Sequence, residues 1–133
     1  MRDKRGLRAV SSEGNIEWIF TAKSKISSWN TNIDLDGNVY DVDNSNTLCC
    51  IYVKGELVWE LNDTRIYPSA ETSFSPDVKY LYLNGNKTSI ICVSILTHEI
   101  VREFSEFSSH GAPLVDTQGN VYVTGGYMYD IGL

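Results

Sequence analysis

Histidine, cysteine and proline are scarce in this chain of 133 residues: two, three and three of them. Cys49, Cys50 and Cys92 form an odd set without zinc-ligand spacing. They sit in apolar, strand-like runs, where buried free thiols are the ordinary state, so a reducing compartment, the cytoplasm, is expected. Long hydrophobic runs are missing too. None approaches the ~20 residues of a membrane-spanning helix. The basic start runs directly into Ser11, Ser12, Glu13 and Asn15, which is no signal peptide. Basic charge is also short, with 11 Lys and Arg against 17 Asp and Glu, a net charge of −6. Phosphate backbones are bound by clustered cations, so nucleic acid is excluded as the main partner. The one basic cluster, Arg2, Lys4, Arg5 and Arg8, is interrupted by Asp3 and reads as a solvated terminal segment.

What the chain does have is repetition. Gly14-Asn-Ile-Glu-Trp18-Ile-Phe20 returns 41 residues later as Gly55-Glu-Leu-Val-Trp59-Glu-Leu61. A weaker copy, His98-Glu-Ile-Val-Arg102-Glu-Phe104, follows after 43. A second motif runs out of phase with the first. Ile33-Asp-Leu-Asp-Gly37-Asn-Val-Tyr40 recurs as Val115-Asp-Thr-Gln-Gly119-Asn-Val-Tyr122, with Phe74 to Tyr82 as its middle copy. A period near forty residues marks stacked supersecondary units. The 42% hydrophobic fraction, with 21% charged residues, fits a globular rather than a disordered chain.

The units are made of strands. Apolar residues alternate or form short β-branched and aromatic runs between Gly, Asn, Asp and Ser clusters, with no helical period. One unit reads as strands 27–34, 38–42, 47–53 and 56–61, the next as 69–75, 79–83, 88–95 and 99–104. The chain opens on two strands, 7–11 and 15–20. It closes on 112–116, 120–124 and a further strand over 127–131. Four short strands joined by tight turns make one antiparallel meander. An all-β chain of such units at this period is expected to be a β-propeller segment of about three blades in an incomplete ring. Its parts are a partial blade over 1–22, blades over 26–62 and 68–106, and a partial blade over 110–133. Trp18 and Trp59 are expected between neighbouring blades, with Ile16 and Phe20, or Leu57 and Leu61, on the same faces. Arg102 takes their place in the third copy, its stem packed and its charge directed to solvent or a partner.

These motifs resemble the PQQ-like (quinoprotein-type) propeller repeat, whose signature is Ala-x-Asp-x-x-Thr-Gly-x-x-x-Trp followed by a strand with Asp-Gly-x-Val-Tyr. Gly14 to Trp18 and Gly55 to Trp59 carry the Gly-x-x-x-Trp half. Ala9, Cys50 and Cys92 stand at the Ala position, while Asp36 to Tyr40 and Gln118 to Tyr122 match the second half. The first two turns are one residue short and lack the Asp. In the third, Ser94, Thr97, His98 and Arg102 stand at the Asp, Thr, Gly and Trp positions. The family includes quinone-dependent alcohol dehydrogenases and also propellers that bind no quinone and act as interaction scaffolds. Fold analogy alone does not choose between them.

Candidate chemistry is thin. In the quinone-dependent enzymes of this family a vicinal disulfide lies against the cofactor, and Cys49-Cys50 invites that comparison. Successive residues of a strand point to opposite faces, however, so two separate core cysteines are expected. Asp34-Leu-Asp36-Gly-Asn38, with Asp41 and Asp43 nearby, resembles part of a calcium loop but has no closing bidentate Glu, and a hairpin turn explains it. His98 falls on a turn-glycine position and His110 precedes Gly111; neither joins a nucleophile and a carboxylate. Asn86-Lys-Thr88 is a glycosylation sequon, relevant only to a secreted chain. Gly125-Gly126 is a turn signal without the strand–helix context of a phosphate loop. No catalytic, cofactor-binding or metal residue is assigned, and no cofactor is expected. The expectation is a non-catalytic scaffold that binds a protein or peptide partner, its ring completed by self-association, by the rest of a longer protein or by docking on another chain. The alternative is a fragment of a PQQ-dependent alcohol dehydrogenase-like oxidoreductase.

Overall fold

A computed structural model describes residues 6–26, 30–86, 89–105 and 111–124. Three basic residues of the N-terminal cluster (Arg2, Lys4, Arg5), His110, Gly125-Gly126, two residues of the sequon (Lys87, Thr88) and the strand expected over 127–131 lie outside these residues. Within them the chain is all-β, an order of twelve strands with no helix. They form four antiparallel sheets. The hairpin of β1 (Gly6–Val10) and β2 (Ile16–Thr21) comes first. A meander of β3 (Asn32–Ile33), β4 (Val39–Val42), β5 (Thr47–Ile51) and β6 (Leu57–Asn62) follows. A second comprises β7 (Thr72–Phe74), β8 (Tyr80–Gly85), β9 (Ser89–Ser94) and β10 (Ile100–Ser105). The hairpin of β11 (Leu114–Val115) and β12 (Val121–Tyr122) ends the described chain. Both meanders keep their strands in sequence order, as short turns between antiparallel neighbours require.

The turns follow from local chemistry. Asp34 Oδ1 accepts from the backbone N–H groups of Asp36 and Asn38 at 2.9 Å each. Gly37 N–H closes the turn onto the Asp34 carbonyl, and Gly37 itself takes φ 88°. That is a type I turn followed by a left-handed residue, the three-residue hairpin loop rather than the two-residue one. Gly14, Gly55 and Gly119 repeat it at φ 91°, 97° and 88°. The 43-residue step has its origin here. Two loops of the β7–β10 meander carry one extra residue each: Ser75 N–H reaches Tyr80 O, and Ser94 N–H reaches Glu99 O.

The register repeats as faithfully as the turns. Ala9 faces Trp18, Cys50 faces Trp59 and Cys92 faces Arg102. In all three pairs of strands a bulge lies just before the Trp or Arg, with Glu17, Val58 and Val101 as the extra residues. The bulge disturbs the face-sharing expected from simple alternation. Ile16 and Leu57 are exposed, while Trp18, Phe20, Trp59 and Leu61 are half-buried. The first strands are also shorter than expected. Of 27–34 only Asn32–Ile33 pairs as strand among the described residues. Asn32 Nδ2 instead donates to the Thr72 carbonyl at 2.8 Å and to Thr72 Oγ1 at 2.6 Å, and Asn30 Nδ2 to the same carbonyl at 2.7 Å. Amide side chains thereby hold the first strand of one sheet against that of the next.

Sheets pack face to face. One core cluster joins Tyr40, Val42, Leu48 and Cys50 of the first meander to Leu81, Leu83, Ile91 and Val93 of the second. On the second meander's other face, Tyr82, Ile90 and Cys92 meet Val115, Val121 and Val123. Both faces of β9 are therefore buried, and all six of its residues are solvent-excluded. A central strand of this kind reads as an unbroken apolar run, here Ile90 to Val93.

Candidate interaction surface

In an antiparallel meander the turns between first and second strands and between third and fourth strands lie at one end of the sheet. That end gathers the loops at Asp34–Gly37, Tyr52–Gly55, Ser75–Lys79, Ser94–His98 and Asp116–Gly119. Its apolar tips protrude. Leu35 is 86% and Leu96 88% exposed, and Tyr52 and Val53, in the loop between β5 and β6, are exposed as well.

The acidic groups at this end hold turns together. Besides its two backbone donors, Asp34 accepts from Asn38 Nδ2 at 3.3 Å and, through Oδ2, from the buried Tyr40 hydroxyl at 2.9 Å. Asp116 is built identically, accepting from Gln118 and Asn120 N–H, from Asn120 Nδ2 and from the Tyr122 hydroxyl at 3.0 Å. The hairpin reading of the Asp-x-Asp-Gly-Asn segment therefore has an atomic basis, with both Asp34 carboxylate oxygens engaged by donors of the turn. Among the described residues no group of three His, Cys, Asp or Glu side chains is arranged to hold a metal ion. Buried Asp41 and Asp43 are structural as well. Asp41 Oδ2 accepts from Thr31 Oγ1 at 2.8 Å, and Asp43 Oδ1 from the N–H groups of Ser45 and Thr47.

The turn hydrogen bonds carry a pH dependence. Asn120's backbone and side-chain donors, then Tyr122, hold the Asp116 carboxyl below its ordinary value of 3.8. Ser75 does the same for Asp77, and Arg65 for Asp63. A depressed folded-state value gives stability that is present above 3.8 and lost as pH falls through the folded-state value. Near-ultraviolet dichroism is expected to hold steady above 3.8 and to fall as pH drops from there through the folded-state values. Asp63→Asn, Asp77→Asn and Asp116→Asn combined should make the acid limb shallower.

The cysteines are buried and free. Their surroundings differ more than the apolar pattern promised. Cys50 lies between Tyr40 and Trp59, but Cys49, on the opposite face, lies between Asp41 and Glu60. Burial, then the negative charge of Asp43 and Glu60, pushes the Cys49 thiol up to about 12. Burial raises Cys50 and Cys92 as well, against a lowering hydrogen bond from Tyr40 or Tyr82. Few thiolates then exist at pH 8, and none is accessible. A thiol-reactive chromophore is expected to count no reactive cysteine in the native chain and three after unfolding. Rapid labelling of the native chain would contradict this.

Tryptophan closes the gaps between sheets. Trp18 Nε1 donates to the Val53 carbonyl at 2.9 Å, and the indole lies so close over Gly55 that a Cβ there would meet it at 2.8 Å. Trp59 makes the next such contact. Its ring stacks on His98 at 4.1 Å and 8°, and it meets Tyr40 edge-on at 6.0 Å. Tyr40 in turn meets Phe74 edge-on at 5.3 Å. His98, at φ 63°, occupies the turn-glycine position expected of it, and its ring serves as the platform for Trp59. The position was legible in sequence; the stack was not.

Arg102 breaks the series. It is exposed, and beside it are two cavities of about 340 and 470 Å³ that share Arg102 and Gly119. Tyr82 stands where the previous layer has Tyr40, and Val115 where it has Phe74. An aromatic plug is thus replaced by a cleft with a cation at its mouth. Burial and a hydrogen bond to Cys92 raise the Tyr82 hydroxyl to about 12, so it is a neutral donor there.

No protein-family model and no curated protein matches the chain. Solved structures do. A functionally unknown protein from Desulfotomaculum acetoxidans superposes with a TM-score of 0.70 at 14% identity, over 95% of this chain and 49% of its own. A protein of unknown function from Bacteroides caccae gives 0.64 at 12% identity, over 89% of this chain and 45% of its own. At such identities the likeness establishes the all-β fold alone. The chain spans about half the length of either structure.

Proposed function

We propose that the chain is a β-propeller segment acting as a non-catalytic scaffold, which binds a protein or peptide across the turn end of its stacked sheets. The observation that carries this is the pair of leucines, Leu35 and Leu96, held almost fully in solvent on hydrogen-bonded turns. An apolar side chain displayed on a fixed loop favours docking over chemistry. The reactive groups support the same reading. The thiols are buried and the Asp34 and Asp116 carboxylates are engaged by their own turns. The quinone-dependent alternative draws no support from Cys49 and Cys50, which a regular strand directs to opposite faces.

A peptide library displayed on phage and selected on the purified chain tests the proposal. Enriched peptides are expected to bind at least about tenfold more weakly, or 1.4 kcal/mol, to the Leu35→Asp, Leu96→Asp double variant. Its thermal unfolding midpoint should match the parent's, since neither side chain packs. No enrichment over a scrambled control, or binding unaffected by the double substitution, would overturn it.

A further inference from the structure

We propose that the β11–β12 hairpin is completed by β1–β2 of a second copy of this chain, and that the two copies do this reciprocally to close one ring. The inference rests on the propeller reading above and names the partner that it leaves open.

The two hairpins are complementary halves of one sheet. In β11–β12, Leu114 faces Tyr122 and Val115 faces Val121. In β3–β4 the residues 82 positions earlier face each other identically: Asn32 with Tyr40 and Ile33 with Val39. In β1–β2, Gly6 faces Thr21 and Ala9 faces Trp18, while in β5–β6 the residues 41 positions later do so, Thr47 with Asn62 and Cys50 with Trp59. One hairpin therefore holds the first and second strands of a meander and the other holds the third and fourth. Among the described residues β12 pairs only with β11 and β1 only with β2. The complete meander also gives the register of the missing pairing. Tyr40 faces Cys50 and Val39 faces Ile51, so Tyr122 of one copy faces Ala9 of the other and Val121 faces Val10. Tyr122 and Val10, 56% and 60% exposed here, lie on the two edges to be joined.

Packing across the new sheet is specified as well. Trp18 seats on Gly55 and Trp59 on His98, each on the third-to-fourth-strand turn of the next sheet. By the same step Arg102 seats on Gly14 of the second copy. A Cβ at Gly14 would meet nothing within 4 Å, so that seat is open. The residues before the seats differ in charge: Lys54 and Thr97 precede the seats of the tryptophans, whereas Glu13 precedes the seat offered to the arginine. An arginine at the aromatic position and a carboxylate at the receiving turn are charge-complementary. Among the described residues each chain holds two full meanders and two halves, so two copies give six four-stranded sheets, within the range of known propellers, with the second copy taking the edge of β12 that the sequence expectation gave to the strand over 127–131. The solved structures that resemble this chain are about twice its aligned length.

Light scattering on the full chain at micromolar concentration is expected to give twice the 14.9 kDa of one chain. Mild oxidation of the Ala9→Cys, Tyr122→Cys double variant should give a covalent dimer, while each single variant gives none. Arg102→Glu should weaken the dimer about tenfold, and adding Glu13→Arg should restore it. A monomer mass would overturn the proposal, and so would a dimer that neither cross-links at that pair nor responds to the charge exchange. Peptide binding through Leu35 and Leu96 by such a monomer would leave the scaffold reading standing while this one falls.

Discussion

Trp59→Ala is expected to destabilise the fold by about 3 kcal/mol and to lower the thermal midpoint by about 10 °C. The indole is the point where the two complete meanders meet. On its own sheet it faces Cys50, and it touches Tyr40 edge-on; across the gap it stacks on His98. It also packs against the largest apolar cluster of the chain. Truncation removes a large buried area and two oriented aromatic contacts, each worth about 0.5–1.5 kcal/mol beyond area. Tyr40 and Phe74 cannot collapse into the space, because the Tyr40 hydroxyl is fixed to Asp34 at 2.9 Å. Trp59→Phe should lose less than half as much by keeping a ring against Tyr40. Urea unfolding followed by dichroism measures both. A loss below about 1 kcal/mol for alanine would mean that the sheets cohere through their inner strands and not through this layer.

Much of this arrangement is written in the repeat. The twelve strands, the turn glycines, the inter-sheet place of Trp18 and Trp59, and the turn position of His98 all follow from period and alternation. Three features do not. The bulge before Trp18, Trp59 and Arg102 leaves no mark on composition, since Glu17, Val58 and Val101 share no chemistry. Asn30 and Asn32 reach Thr72, some forty residues away, through contacts that no local pattern encodes. Cys49 looked apolar because its neighbours in sequence are apolar, whereas its neighbours across the sheet are Asp41 and Glu60. For the proposed docking surface the limit is of another kind. The strand bounds already place Leu35 and Leu96 in turns, but not how far each side chain stands out into solvent. Arg102 is the exception: its departure from the repeat was visible at once, and the cleft beside it is the physical consequence.

Gly55→Ala should cost about 3 kcal/mol, against about 1 kcal/mol for Gly14→Ala, although both occupy the same turn position. The backbone part is common to the two. Gly14 has φ 91° and Gly55 φ 97°, beyond the left-handed region that His98 tolerates at 63°. A side chain at either position is strained whatever its surroundings. The difference lies across the sheet gap. Within one copy nothing lies within 4 Å of a Cβ at Gly14, and the Arg102 proposed to seat there from a second copy is a flexible chain, whereas a methyl at Gly55 would come within 2.8 Å of the Trp18 ring. Relief requires the indole to lift, and lifting breaks its hydrogen bond to the Val53 carbonyl. The β1–β2 hairpin should then exchange its amide protons faster than the two meanders, a local loosening rather than a global one. Trp18→Ala supplies the control. In that background Gly55→Ala is expected to cost only the backbone part, so the double-mutant cycle should return a coupling of about 2 kcal/mol. Equal losses at Gly14 and Gly55 in the parent would show that the indole yields freely. The first hairpin would then be joined to the rest by the chain and not by packing.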